Sequence, residues 1–105
     1  MSYQILNRFT VEQPELPVKI LESRQEYRSC HIQLPDEIRR LPAIAMHGCY
    51  YSLFKVVSTQ QQAVNTCARL AVRGDMTIIT KTAKGHAIWV LEPDAQPAPP
   101  HRPTV

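Results

Sequence analysis

Cysteine and histidine offer the most chemistry in this chain, and they come close together twice: Cys30 next to His31, and His47 two residues before Cys49. Two such pairs on neighbouring strands would form a candidate tetrahedral zinc site, since zinc takes four nitrogen or sulfur ligands. On a regular strand, residues i and i+2 share a face and adjacent residues do not. His47 and Cys49 should then converge, whereas Cys30 and His31 should diverge. The same groups could supply a thiol nucleophile and an imidazole base, but no spacing in the chain supplies the orienting third member. Asp75 is the single acidic residue between positions 38 and 91, and its place directly after Gly74 marks a turn rather than half of a catalytic carboxylate pair. We therefore expect no metal, no cofactor and no catalytic residue.

Charge carries more information than nucleophiles do. The net charge of +3 is unevenly spread: residues 1–37 hold four Lys/Arg against six Asp/Glu, residues 38–91 hold seven against one, and the remainder holds one against two. A basic middle attracts phosphate or an acidic protein surface, unless its side chains merely solvate outward faces. "KTAKG" at 81–85 puts two lysines around a tight turn, but no glycine-rich loop opens a helix there, as nucleotide binding would require. The P-x-x-P spacings near the end fit aromatic grooves, though such tails are usually solubilising. Three well-separated cysteines without a C-x-x-C are read as reduced thiols, with Cys67 in helix core. The N-terminus lacks the pattern of a secretory signal and no apolar run approaches a membrane span, so the expected compartment is the cytoplasm, without membrane insertion.

The elements that would carry these residues follow from periodicity. "SYQILNRFTV" predicts a strand near residues 3–10, ending in the Pro-punctuated "EQPELP". The stretch 18–34 alternates but is too polar at "ESRQEY" for one buried strand, which predicts a hairpin or bulge there. "PDEIRRLP" predicts a helical turn in a connector. "CYYSLFKVVS" has the composition of a central strand, apolar on both faces. A helix over 59–73 follows, with Ser58 as N-cap, Gln61 completing a capping box and Gly74 as the left-handed terminator. Ala63, Val64, Cys67, Leu70 and Ala71 form its apolar stripe, and Gln61, Asn65, Arg69 and Arg73 line the opposite side.

Residues 75–91 then predict a hairpin with Gly85 at positive φ, Thr82 opposite His86 and Thr80 opposite Ile88. In that register Met76, Ile78, Ile88 and Val90 share one face and Ile79, Trp89 and Leu91 the other. Neither face can be left in water, and there is one long helix to cover them. The other must be covered by the N-terminal strands and connector or by a second copy of the chain.

"KGHAIWVL" at 84–91 resembles the RNP1 element of RNA-recognition motifs through Lys84, Gly85 and Ala87, within a strand, helix, strand, strand context spanning residues 50–91. The resemblance implies base stacking on a sheet, with Phe54 as the candidate on the preceding strand. The chain departs from the pattern at His86, Ile88 and Leu91, where that family carries the aromatic rings that stack on bases.

The expected fold is α+β: a small, mainly antiparallel sheet with one long helix packed on one face, in a single domain over 1–92, followed by a Pro-rich flexible tail over 93–105. The expected function is non-catalytic, an adaptor, regulatory or accessory subunit that binds a protein partner through the sheet face and a basic rim. Lys55, Arg69, Arg73, Lys81 and Lys84 are the expected rim contacts and Trp89 the expected anchor, since Arg and Trp dominate such interfaces. The alternative is single-stranded RNA or DNA bound by the same surface.

Overall fold

The computed structural model describes residues 19–99. The strand expected over 3–10 and the last six residues lie outside these. Within them, seven strands and one helix follow in the order β1 (Lys19–Leu21), β2 (Arg28–Gln33), β3 (Leu41–Met46), β4 (Cys49–Val57), α1 (Gln60–Val72), β5 (Thr77–Thr82), β6 (Gly85–Leu91) and β7 (Gln96–Pro97). They form one mixed sheet in the order β1-β5-β6-β4-β3-β2-β7. Every pairing is antiparallel except that of β1 with β5.

α1 begins one residue later than expected. Thr59, not Ser58, is the N-cap: its hydroxyl accepts from the Gln62 N–H while the Gln62 side chain accepts from the Thr59 N–H. "STQQQ" offers two overlapping hydroxyl-to-glutamine pairs, and Ser58 is left to donate to the same Gln62 Oε1 at 2.9 Å. Gly74 does terminate the helix, at φ +92°, and the Asp75 N–H bonds the Leu70 carbonyl in the turn beyond it.

The β5–β6 hairpin differs from expectation by one residue. Thr82 pairs with Gly85, so Ile79 faces Ile88 and Ile78 faces Trp89. Gly85 keeps its positive φ, but the ladder closes directly over a two-residue turn. A one-residue slip exchanges the faces of one strand relative to the other. Ile79 and Ile88, both 0% exposed, therefore lie together under α1 with Ala63, Cys67 and Leu70. Ile78, Trp89 and Leu91 lie on the opposite face with Leu21, Ile44 and Tyr51.

That opposite face is covered in part by the chain itself, while Leu53 and Val56 on it stay 38% and 47% exposed. β1 and β2 lie on either side of four other strands, a span of about 24 Å in a flat sheet at the usual strand spacing. The link between them, Glu22–Tyr27, contains a 3-10 turn at Arg24–Glu26, and such a link reaches only about 19 Å. The sheet must therefore curl until its halves approach, and Leu21 from β1 shares a cluster with Ile44 from β3 and Tyr51 from β4. Tyr27 packs on the same cluster, so the link crosses the concave side. The hairpin or bulge expected at "ESRQEY" is this crossing. On the convex side, α1 covers the β1 half, and residues after β6 pass over the β2 half. Ser52 Oγ there donates to Glu92 Oε2 at 2.6 Å, and Ile32 and Ala43, at 0% and 2% exposure, are buried on the same face.

Two connectors also differ. Residues 35–40 form turns rather than a helix, with the Glu37 N–H bonded to the Leu34 carbonyl. The segment expected to be a free tail from residue 93 is held over its first part: Gln96–Pro97 pairs with β2, and the Ala98 N–H donates to the His31 carbonyl. Proline is tolerated because β7 is an edge.

Candidate binding surface

β4 does not alternate regularly. Leu53 pairs with Trp89 and Lys55 with Ile88, which leaves Phe54 as an extra, bulged residue. Before the bulge, Tyr51 and Leu53 share the concave face with Leu91 and Trp89. After it, Lys55 and Val57 share the face of Ile88 and His86 beneath α1. A bulge reverses which residues point up, so without it Lys55 would lie on the far side from the helix. Phe54 is left 48% exposed, an unusual state for an aromatic on an interior strand.

Lys55 thereby reaches the stripe of α1 formed by Gln62, Asn65, Thr66, Arg69 and Arg73. Two shallow depressions follow this seam. One of about 290 Å³ is lined by Phe54, Lys55, Thr66, Arg69, Leu70 and Arg73. The other, about 220 Å³, is lined by Lys55, Val57, Gln62, Asn65, Thr66 and Arg69. They share Lys55, Thr66 and Arg69, so they form one continuous groove. Among the described residues no carboxylate lines it. Among the described residues the only salt bridge joins Arg39 to Glu37, elsewhere on the surface, and carboxylates gather instead in a separate depression around Asp36, Glu37, Glu92 and Asp94.

The six expected contact residues therefore separate. Lys55, Arg69 and Arg73 converge in the seam. Lys84 sits in the β5–β6 turn, where its N–H donates to Thr82 Oγ1, and Lys81 lies nearby on β5 opposite His86; neither lines the groove. Trp89 is half-buried on the concave face, and its indole N–H donates to Thr80 Oγ1 at 2.9 Å. Phe54 was expected only as a stacking candidate and Asn65 only as part of the polar helix side; Gln62 was expected in neither role. Gln62 through Arg73 could have been found as a stripe at helical spacing, whereas the bulge that exposes Phe54 leaves no signal in "SLFKV".

The cysteine and histidine pairs stay apart. His47 belongs to no strand: with Gly48 it forms the β3–β4 turn at φ +53° and +79°, so it does not share a strand face with Cys49 as expected. His31 is exposed, whereas Cys30 is half-buried on the other side of β2. No group of three or more His, Cys, Asp or Glu able to hold a metal occurs among the described residues. Burial pushes the Cys30 thiol up, partly offset by Arg28, and burial raises the Cys67 thiol, partly offset by a hydrogen bond with Thr77. Thiol titration with an aromatic disulfide should therefore label exposed Cys49 first and Cys30 more slowly, and Cys67, 3% exposed, only on unfolding. Fast labelling of Cys67 in the folded protein would contradict the helix packing.

Among the described residues no helix is long and apolar enough to cross a membrane. Comparison of the chain with protein-family models, with curated proteins and with solved structures finds no match.

Proposed function

We propose that the chain is a non-catalytic adaptor or accessory subunit that holds a protein partner at the seam between α1 and β4. The observation that carries this is the convergence of Lys55, Arg69 and Arg73 on one groove in which no carboxylate of the described residues neutralises them. Like charges gathered at about one helical turn repel one another, so the arrangement costs stability unless an anionic partner offsets it. The concave sheet face, first expected to take part, is partly filled by the protein's own Leu21 and Tyr27 and carries none of the three converging cations, so the partner is assigned to the seam. The Cys30 and Cys67 thiols, held toward the protonated form by burial, are the opposite of activated nucleophiles.

Single-stranded nucleic acid is the second reading, favoured by exposed Phe54 beside the cations, since bases stack on such rings. Both readings are electrostatic and weaken with ionic strength, so which polyanion binds, rather than salt dependence alone, separates them. Anisotropy of labelled polyglutamate and of labelled oligothymidylate should be followed at two salt concentrations, with wild type and with Arg69→Glu/Arg73→Glu. We expect polyglutamate to saturate the wild type, and the double variant, folded by circular dichroism, to lose that binding by tenfold or more, as about 1.4 kcal/mol would produce. Charge reversal without effect would overturn the seam as the site. Tight, steeply salt-dependent binding of oligothymidylate alone would replace the protein reading with the second one.

A further inference from the structure

Resting on the seam as a protein-binding site, we infer that its occupant is an extended acidic segment, with carboxylates at alternate positions and one apolar side chain seated on Phe54. The hydrogen-bond inventory of the groove carries this. Gln62 Oε1 already accepts from both the Thr59 N–H and the Ser58 hydroxyl. Asn65 Oδ1 accepts from Gln61 Nε2 at 3.0 Å. The Thr66 hydroxyl donates to the Gln62 carbonyl and accepts from Arg69. The groups left over are the Gln62 and Asn65 amide N–H donors, the Lys55 ammonium and the remaining N–H groups of Arg69 and Arg73. The groove therefore offers donors, and its complement is a ligand rich in acceptors.

Spacing narrows the ligand. Arg69 and Arg73 are one helical turn apart, a rise of about 6 Å. Side chains at i and i+2 of an extended peptide project to one side about 6.6 Å apart. Alternate carboxylates thus match the two guanidiniums, and peptide carbonyls further along the segment, toward the start of α1, suit the neutral amide donors of Gln62 and Asn65. At the other end Phe54 is, among the described residues, the one ring lining the groove, which suits a single apolar contact. Base-edge recognition would need acceptors as well as donors, and single-strand grooves present several rings in succession. These features favour the peptide over nucleic acid.

The test uses two labelled hexapeptides of identical composition, one with glutamates at alternate positions and one with them grouped, each ending in leucine. A glutamine version of the alternating peptide and hexathymidylate are the controls. Affinities are weak for probes of this size, so titrations extend to about 1 mM. The alternating peptide is expected to bind more tightly than the grouped one, and its glutamine version about tenfold less tightly, at threefold to fivefold per exposed pair lost. Arg73→Gln should abolish the preference for alternation, and Phe54→Ser should weaken both peptides. Equal affinity for the two isomers, with both weakened by Arg73→Gln, would overturn the inferred spacing and leave the seam reading standing. Binding of hexathymidylate alone, or of no probe at all, would overturn both.

Discussion

Replacing Gly85 by alanine is expected to lower the stability of the domain by about 3 kcal/mol or more, a large part of the 5–15 kcal/mol typical of a small domain. Gly85 sits at φ +140°, and a Cβ built there runs into the Val57 carbonyl oxygen and crowds the Ser58 backbone. An alanine forced into that half of backbone space costs about 1–2 kcal/mol. Overpacking against backbone rather than a flexible side chain adds about 1–3 kcal/mol, because β4 itself must retreat. β4 and β6 carry the Val57–His86 pair at this point, so retreat would also open the end of the ladder beneath α1. Gly48→Ala is the control: its φ is +79° but nothing lies within 4 Å of the added carbon, and about 1 kcal/mol is expected from the dihedral alone. Urea midpoints of the two variants provide the measurement. Equal losses would mean that crowding at Val57 is not what demands glycine at 85.

The same glycine shows how far the sequence could be read. The turn at Gly85 and the strands around it were legible because β-branched runs and a glycine leave a local signal. The pairing register was not, since it depends on the neighbouring strand β4, distant in sequence, closing against Gly85. Reading Thr82 against His86 displaced the ladder by one and divided Ile79 from Ile88, which the structure places together. α1 was recovered almost to its ends for the opposite reason: periodicity, cap and terminator are all local. The curl of the sheet was invisible because it follows from a short link between two strands on either side of four others. The cationic part of the seam was partly legible. Arg69 and Arg73 stand at helical spacing, whereas Lys55 joins them only through a bulge at Phe54 that leaves no mark in "SLFKV".

Trp89→Ala separates a core role for this residue from a partner-binding one, and we expect the core role to prevail. The indole is half-buried against the cluster of Leu21, Ile44, Tyr51 and Ile78, and its N–H is satisfied by Thr80, a residue 1% exposed. Truncation removes the ring and opens a cavity between β1 and β4, at a cost of about 3–5 kcal/mol. Smaller changes isolate the polar contact. Trp89→Phe keeps most of the packing but leaves Thr80 Oγ1 without its donor, and Thr80→Val leaves the indole N–H unpaired. Each should cost about 1–2 kcal/mol. The double variant removes both partners, so its loss should be about 1 kcal/mol less than the sum of the singles. Strict additivity would mean that the bond contributes nothing to the fold. A Trp89→Ala protein with wild-type melting behaviour and lost affinity for an acidic partner would move the binding surface to the concave face. Because that residue and the seam lie on opposite sides of the sheet, Arg69→Glu/Arg73→Glu would then have to leave binding intact. The two sets of variants therefore assign the partner to one face of the sheet or the other.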